Sequence, residues 1–212
     1  MTGKKDIVET VKNTYNEIGT VFSSTRNYIW PDLKPFLKDF PSKASVLDVG
    51  CGNGRLIMGL PKTIKYTGID ISSKLLEEAK KAHPDNNFIE TDITKPNIWK
   101  HLPKYDYIFC VAVMHHIPTR DQQLFILKQI KEHLKPNGKC LITVWNLWQN
   151  KYIKYHVDLA TKWQNPYWVN IPFQGKKRFC FAYTKPYLES LLVEAKFKLE
   201  ISKTPQNYLL SK

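Results

Sequence analysis

Between Val46 and Gly54 the sequence reads Val-Leu-Asp-Val-Gly-Cys-Gly-Asn-Gly, and no other stretch constrains the fold as much. A short apolar run carrying one acidic residue breaks into glycines at alternate positions. The pattern predicts a buried parallel strand whose carboxyl end turns tightly into a helix. Glycine is needed there where φ turns positive, or where a ligand must approach the backbone with no Cβ in the way. Ligands of open α/β sheets bind outside the carboxyl ends of the strands. Gly50, Cys51, Gly52 and Asn53 are therefore candidate ligand contacts. A dinucleotide fold would place a further glycine three residues after the second, but Arg55 occupies that position. Gly68-Ile69-Asp70-Ile71 ends a second strand about twenty residues on, where a carboxylate can hold both hydroxyls of a ribose. Asp70 and Ile71 join the candidate set.

The chain around this stretch alternates strand and helix, which argues for a parallel sheet. An amphipathic helix is predicted from residue 6 to about residue 20, closed by Gly19. A second is predicted from Pro31, carrying Leu33, Phe36, Leu37 and Phe40. Strands are predicted at 44–49, 64–70, 86–91, 105–111 and 139–145, with Ser72 capping one helix and 121–134 forming another. Lys135-Pro136-Asn137-Gly138 reads as a turn. Asp92 and Ile93 end the third strand, where an acid can accept from an adenine amino group and an aliphatic side chain can cover the ring. Residues 146–177 break the rhythm with tryptophans, tyrosines and lysines, and are expected to lie over the strand ends. Arg178 to Tyr183 reads as extended, followed by a helix at 185–195 and short strands at 197–203 and 207–210. The expected architecture is one α/β domain over 1–212. It has a Rossmann-like, seven-stranded, mostly parallel sheet with helices on both faces, a helical lid at 1–41 and an aromatic, basic insertion at 146–177.

Composition bounds the partners. The 212 residues carry 32 Lys and Arg against 19 Asp and Glu, a formal net charge of +13. That balance favours a polyanionic partner, since each cation meeting a phosphate releases counterions; it also aids solubility and attracts anionic surfaces. The four cysteines form no C-x-x-C pair, so zinc and dithiol chemistry are disfavoured and no metal site is expected. No apolar run approaches the roughly 18 residues of a membrane span, and Met1 to Asp6 is polar, so a cytoplasmic location is expected.

The order of elements resembles that of the class I S-adenosylmethionine-dependent methyltransferases over nearly the whole chain. A narrower likeness rests on three separated places. Tyr15-Asn16-Glu17-Ile18 with Phe22-Ser23-Ser24-Thr25-Arg26 and Trp30-Pro31 resembles the N-terminal signature of the tRNA wobble-uridine carboxymethyl methyltransferases. Val111-Ala112-Val113-Met114-His115-His116-Ile117-Pro118-Thr119-Arg120 resembles that family's segment after strand four. Val144-Trp145, and Arg178-Phe179 with Tyr183, resemble its later motifs. The resemblance implies S-adenosyl-L-methionine as cofactor, with Asp48 facing its methionine end and Tyr15, Arg26, Val111 and His116 among its contacts. It implies tRNA as substrate, 5-carboxymethyluridine at the first anticodon position as the group esterified, and, in eukaryotic members, a small zinc-binding activator subunit. The chain departs from the family at Arg178-Phe179-Cys180-Phe181, where a histidine and a tyrosine of the family pattern are missing.

Methyl transfer from a sulfonium is an in-line displacement, for which the enzyme aligns the groups and excludes water. A carboxylate nucleophile is already ionised at neutral pH and needs no strong base. Arg26, Arg120 and Arg178 are the candidates to grip a carboxylate or phosphate; His115 and His116 are the candidates beside the reacting methyl, and Trp30 and Trp145 are candidates to stack on a base or wall the pocket. Two other readings stay open: a small-molecule O- or N-methyltransferase using 146–177 as a lid, and a non-catalytic partner subunit. Intact Asp48, Gly50, Gly52 and Asp70 argue against the second.

Overall fold

The computed structural model describes residues 6–26, 28–37, 40–157, 165–204 and 207–211. Five parallel strands form its centre: β1 (Ser45–Val49), β2 (Lys65–Asp70), β3 (Asn87–Glu90), β4 (Tyr105–Val111) and β5 (Leu134–Thr143). Their order is β3-β2-β1-β4-β5. The winding direction reverses at β1, so a crevice opens at the carboxyl ends of β1 and β4, where the glycine stretch lies.

The parallel array stops at five strands and two antiparallel strands beyond β5 extend the sheet to seven; the segment 146–177, expected to be irregular, is not so throughout. Instead, β6 (Trp168–Phe173) and β7 (Lys176–Phe181) pair antiparallel as a separate two-stranded ribbon. The Gln174-Gly175 turn between them has both φ positive, at 50° and 74°; that twist suits a two-residue hairpin. The two strands that extend the main sheet, β8 (Lys198–Thr204) and β9 (Asn207–Ser211), run antiparallel beyond β5, with β9 beside it.

Apolar residues alternate along the inner strands and build a core on each face. Leu47, Val49, Ile108, Cys110 and Ile142 point to one cluster. There they meet Ile126, Leu127 and Ile130 of α4 (Arg120–Glu132) and Leu188, Leu191 and Leu192 of α6 (Lys185–Glu194). Val46, Phe109 and Leu141 point the other way, to Leu76 and Ala79 of α2 (Ser73–Ala82). Shorter helical turns, α3 (Pro96–Trp99) and α5 (Asn150–Ile153), fill the connections. Each fully buried aliphatic side chain here contributes about 1.5–3 kcal/mol.

Local differences from the sequence reading have identifiable causes. Helix α1 (Ile7–Ser24) starts at the Asp6 cap, whose carboxylate accepts from Val8 N at 3.0 Å, and runs past Gly19. A Cβ on Gly19 would lie 2.7 Å from Lys74 Cγ, so this glycine serves the close approach of α1 to α2 and does not end the helix. Pro31–Phe36 is a 3-10 turn with Pro35 inside it, so Phe40 lies beyond it and packs on Tyr107. Arg55–Gly59, after the glycine stretch, is likewise only a 3-10 turn. Lys135 to Gly138 is a bulge inside β5: the register jumps from Tyr105↔Leu134 to Tyr107↔Lys139, with Asn137 at φ 64°. Among the described residues no helix is long and apolar enough to cross a membrane.

Candidate active site

A cavity of roughly 1170 Å³, its open mouth included, lies across the strand ends. Its floor is the glycine stretch. Gly50 has φ 72°, and a Cβ there would fall 2.3 Å from Val113 Cγ2; only glycine fits between β1 and the segment after β4. Asp48, Gly50, Cys51, Gly52 and Asn53 line the cavity, as do Asp70, Ile71, Asp92, Ile93 and Val111. Every residue expected at the cofactor, including Tyr15, Arg26 and His116, borders it.

The acids are held in place by backbone donors. Asp70 accepts from Gly52 N at 2.8 Å and Ser72 N at 2.9 Å, one on each carboxylate oxygen. Burial pushes its carboxyl up, against those hydrogen bonds. Ser72 caps α2 through Leu75 N at 3.2 Å, and its hydroxyl donates to Asn16 Oδ1 of α1 at 2.8 Å. The α1–α2 contact therefore also fixes the loop that carries Asp70. Asp92 accepts from the Thr94 amide and hydroxyl at 2.8 and 2.6 Å. Asp48 is 3% exposed and accepts from the Tyr66 hydroxyl at 2.7 Å. Burial raises its carboxyl to about 7, the Tyr66 hydrogen bond opposing.

Opposite the acids stands a wall of aromatics and arginines. The Tyr15 hydroxyl lies 2.9 Å from His116 Nε2, and His116 Nδ1 lies 2.7 Å from the Phe179 carbonyl oxygen. That oxygen can only accept, so Nδ1 carries the proton and Nε2 accepts from Tyr15. Burial lowers His116 to about 4 and raises Tyr15 to about 12. Trp145 also lines the cavity. His115 lies behind it, fully buried and stacked on the indole at 4.6 Å. The Trp145 amide donates to His115 Nδ1 at 3.4 Å, and His115 Nε2 has no partner. Burial, then His116, hold His115 well below the usual range.

The three arginines predicted to grip an anion separate. Arg26 lines the cavity, 4.2 Å over Phe22 and 4.8 Å over Phe173. Its backbone carbonyl accepts from Asn53 Nδ2 at 3.2 Å, tying it to the glycine stretch. Arg178 is 5% exposed, 4.9 Å from the Trp145 ring and 4.7 Å from the Phe173 ring. It stands one side chain behind the wall, with Nε and Nη1 unpartnered. Arg120 is the correction. It opens α4 on the outer surface, where Glu194 Oε2 pairs with it at 2.8 Å and Tyr187 lies beneath it. A full turn of chain after His116 carries it away from the strand ends.

Two contributors were not singled out in the sequence. Tyr66, in β2, holds Asp48, and a tyrosine within an apolar strand has no local pattern to mark it. Arg55 lines the cavity 3.9 Å over Trp30, with Nη1 buried and unpartnered. Burial, then Arg26, lower it to about 10. Its place as the residue after Gly54 was the available signal.

Five parallel strands reversing at β1, with acids at successive strand ends and a glycine floor, have the fold of the class I, S-adenosylmethionine-dependent methyltransferases. The chain belongs to the methyltransferase-domain family, whose model matches residues 22–200. It is 35% identical over 163 residues to the tRNA (carboxymethyluridine(34)-5-O)-methyltransferase of Saccharomyces cerevisiae, covering 74% of this chain and 57% of that protein. It is 34% identical over 152 residues to the tRNA (carboxymethyluridine(34)-5-O)-methyltransferase ALKBH8 of Macaca fascicularis, covering 69% and 22% respectively. The chain thus spans from about a fifth to somewhat over half the length of these relatives. Among solved structures it is similar to that of the DhpI–SAM–HEP complex, with a TM-score of 0.70 at 16% identity over 99% of this chain and 98% of that one. At that identity the likeness is one of fold.

Proposed function

We propose that this chain methyl-esterifies the carboxylate of 5-carboxymethyluridine at the wobble position of tRNA. The observation that carries the reading is Arg178, a buried cation with two unpartnered donors and no ion-pair partner among the described residues. Leaving a buried charge unpaired is costly. A substrate that brings its own carboxylate to the Trp145–Phe173 wall would complete the pairing, and the relatives' names describe a substrate with that group.

The cavity fits S-adenosylmethionine by the chemistry of its donors. Asp70 retains free lone pairs for a ribose diol, Asp92 offers an acceptor for adenine beside Ile71 and Ile93, and Asp48 lies near Arg55, suiting an amino-acid zwitterion. When bound, the cofactor supplies a methyl group on a sulfonium, open to in-line attack. The residues' part is to orient and to exclude water. A carboxylate oxygen forms the new bond to carbon as the carbon–sulfur bond breaks, and no proton needs to leave. That agrees with the histidines. His116 has both nitrogens engaged, and His115 lies behind Trp145 with its basic nitrogen facing the Trp145 amide. Neither is free to serve as a base for a hydroxyl or amine nucleophile.

In the same reading, the described part of 1–41 acts as a lid, the described part of 146–177 covers the entrance (residues 1–5, 27, 38–39 and 158–164 lie outside the described residues), and the protein works in the cytoplasm. The resemblance extends it to a small activator subunit; faster turnover on adding that subunit would support this. The main test is mass spectrometry of nucleosides from tRNA incubated with enzyme and labelled cofactor. Label in the methyl ester of carboxymethyluridine is expected, and tRNA affinity should fall steeply with salt while cofactor affinity changes little. Unlabelled tRNA with a flat salt response would overturn the tRNA reading in favour of a small-molecule methyltransferase.

A further inference from the structure

Acidic residues nearly vanish from one part of this chain. Between Glu132 and Glu189 there is one, Asp158, against nine lysines and arginines. Part of that stretch, after β5, forms a small exposed cluster. Trp148 lies three residues beyond Trp145 of the cavity wall and is 41% exposed. Its ring is nonetheless fixed. Nε1 donates to the Tyr183 carbonyl at 3.1 Å, and the His156 ring packs against it at 4.5 Å, tilted by 33°. His156 is itself held at the Leu147 carbonyl, 2.8 Å away. Lys151 lies 4.9 Å over Tyr152, and Lys154 lies 5.2 Å over Tyr155. Both lysines are exposed, and neither has a carboxylate partner among the described residues. Tyr152 and Tyr155 pack on the ribbon that carries Arg178, so the cluster and the site share a base.

An immobilised, exposed indole suits a second flat ring, because little entropy remains to be lost on stacking. Unpaired lysines beside it suit phosphates. We propose that Trp148, backed by His156 and flanked by Lys151 and Lys154, is a docking surface for loop nucleotides of the substrate RNA. An unstacked base lies on the indole and adjacent phosphates meet the lysines. The inference rests on the tRNA reading above and adds where the RNA is held outside the cavity.

The test uses the full chain and an anticodon stem-loop RNA, with affinity read by fluorescence anisotropy across a salt series. Trp148→Ala should weaken RNA binding about tenfold without changing the salt slope, as loss of one base–aromatic stack does, and Trp148→Phe should stay near wild type. The double variant Lys151→Glu/Lys154→Glu should weaken binding more and reduce the salt slope by about two. Cofactor affinity by calorimetry should be unchanged in each. As a charge control, Lys62→Glu/Lys65→Glu, at the opposite end of β2, should weaken RNA binding far less. Wild-type RNA affinity in both Trp148→Ala and the lysine double overturns the inference while the tRNA reading stands. Equal loss in the control pair overturns the assignment to this surface. A wild-type protein that does not bind the RNA overturns both. Exposed lysines are dispensable for folding, so the double variant decides alone if Trp148→Ala does not fold.

Discussion

Replacing Arg178 with methionine should separate stability from activity. The guanidinium is 5% exposed and two of its nitrogens lack partners. Each unsatisfied donor costs about 1–3 kcal/mol, and the buried charge adds several kcal/mol more. Against this stand two aromatic contacts, with Trp145 and Phe173, at about 0.5–2 kcal/mol each, and the nearby Tyr15 hydroxyl. Methionine fills a similar volume and contacts aromatic rings favourably by about 0.3–1.5 kcal/mol. The melting temperature should therefore hold or rise, by roughly 2–4 °C for each kcal/mol gained in a chain of this length. Turnover should move the other way. Loss of a charge-assisted hydrogen bond to substrate, about 1.5–3 kcal/mol, lowers kcat/KM on carboxymethyluridine tRNA by roughly 10- to 150-fold. Arg178→Lys keeps the charge without the planar fork and should lose about tenfold to a hundredfold. The assay pairs a thermal melt with methyl-transfer kinetics, both referred to folded protein. A melting temperature lowered by more than about 5 °C with kcat/KM intact would refute the reasoning and make Arg178 a structural cation.

Asp70→Ala should weaken S-adenosylmethionine binding by roughly 1.5–3 kcal/mol, the loss of a charged acceptor for the ribose; unchanged affinity in calorimetry would remove Asp70 from the site. Asp48 makes ligand-free stability pH-dependent. Its carboxyl is raised from 3.8 to about 7 by burial, so the folded state keeps a proton that the unfolded chain has released. That contribution is full below about pH 4 and is lost as pH rises through about 7. Cofactor affinity should instead rise through about pH 7, as ionised Asp48 meets an ammonium group. Tyr66→Phe removes the hydrogen bond that favours the ionised form and should move this midpoint upward. A midpoint unmoved in calorimetry between about pH 6 and pH 9 would detach Asp48 from the cofactor.

Local chemistry wrote the glycine floor and the acids at the strand ends into the sequence, so Asp48, Gly50, Gly52, Asp70 and Asp92 were legible there. Their meaning depends on what a strand end must be, and a strand end is recognisable from its own few residues. The parallel core was legible for the same reason, since a period of two is a property of each strand alone. Other features needed the folded chain. Gly19 looks like a helix stop until Lys74 is found against it. Lys135 to Gly138 looks like a turn until pairing with β4 absorbs it as a bulge. Arg120 and Arg178 are alike as sequence, each an arginine in a resembling motif. Tertiary packing gives the first a carboxylate at the surface and buries the second without one. Burial and partner are relations between segments 74 and 33 residues apart, Glu194 with Arg120 and Trp145 with Arg178. No local pattern encodes a desolvation cost that exists only once those segments have met.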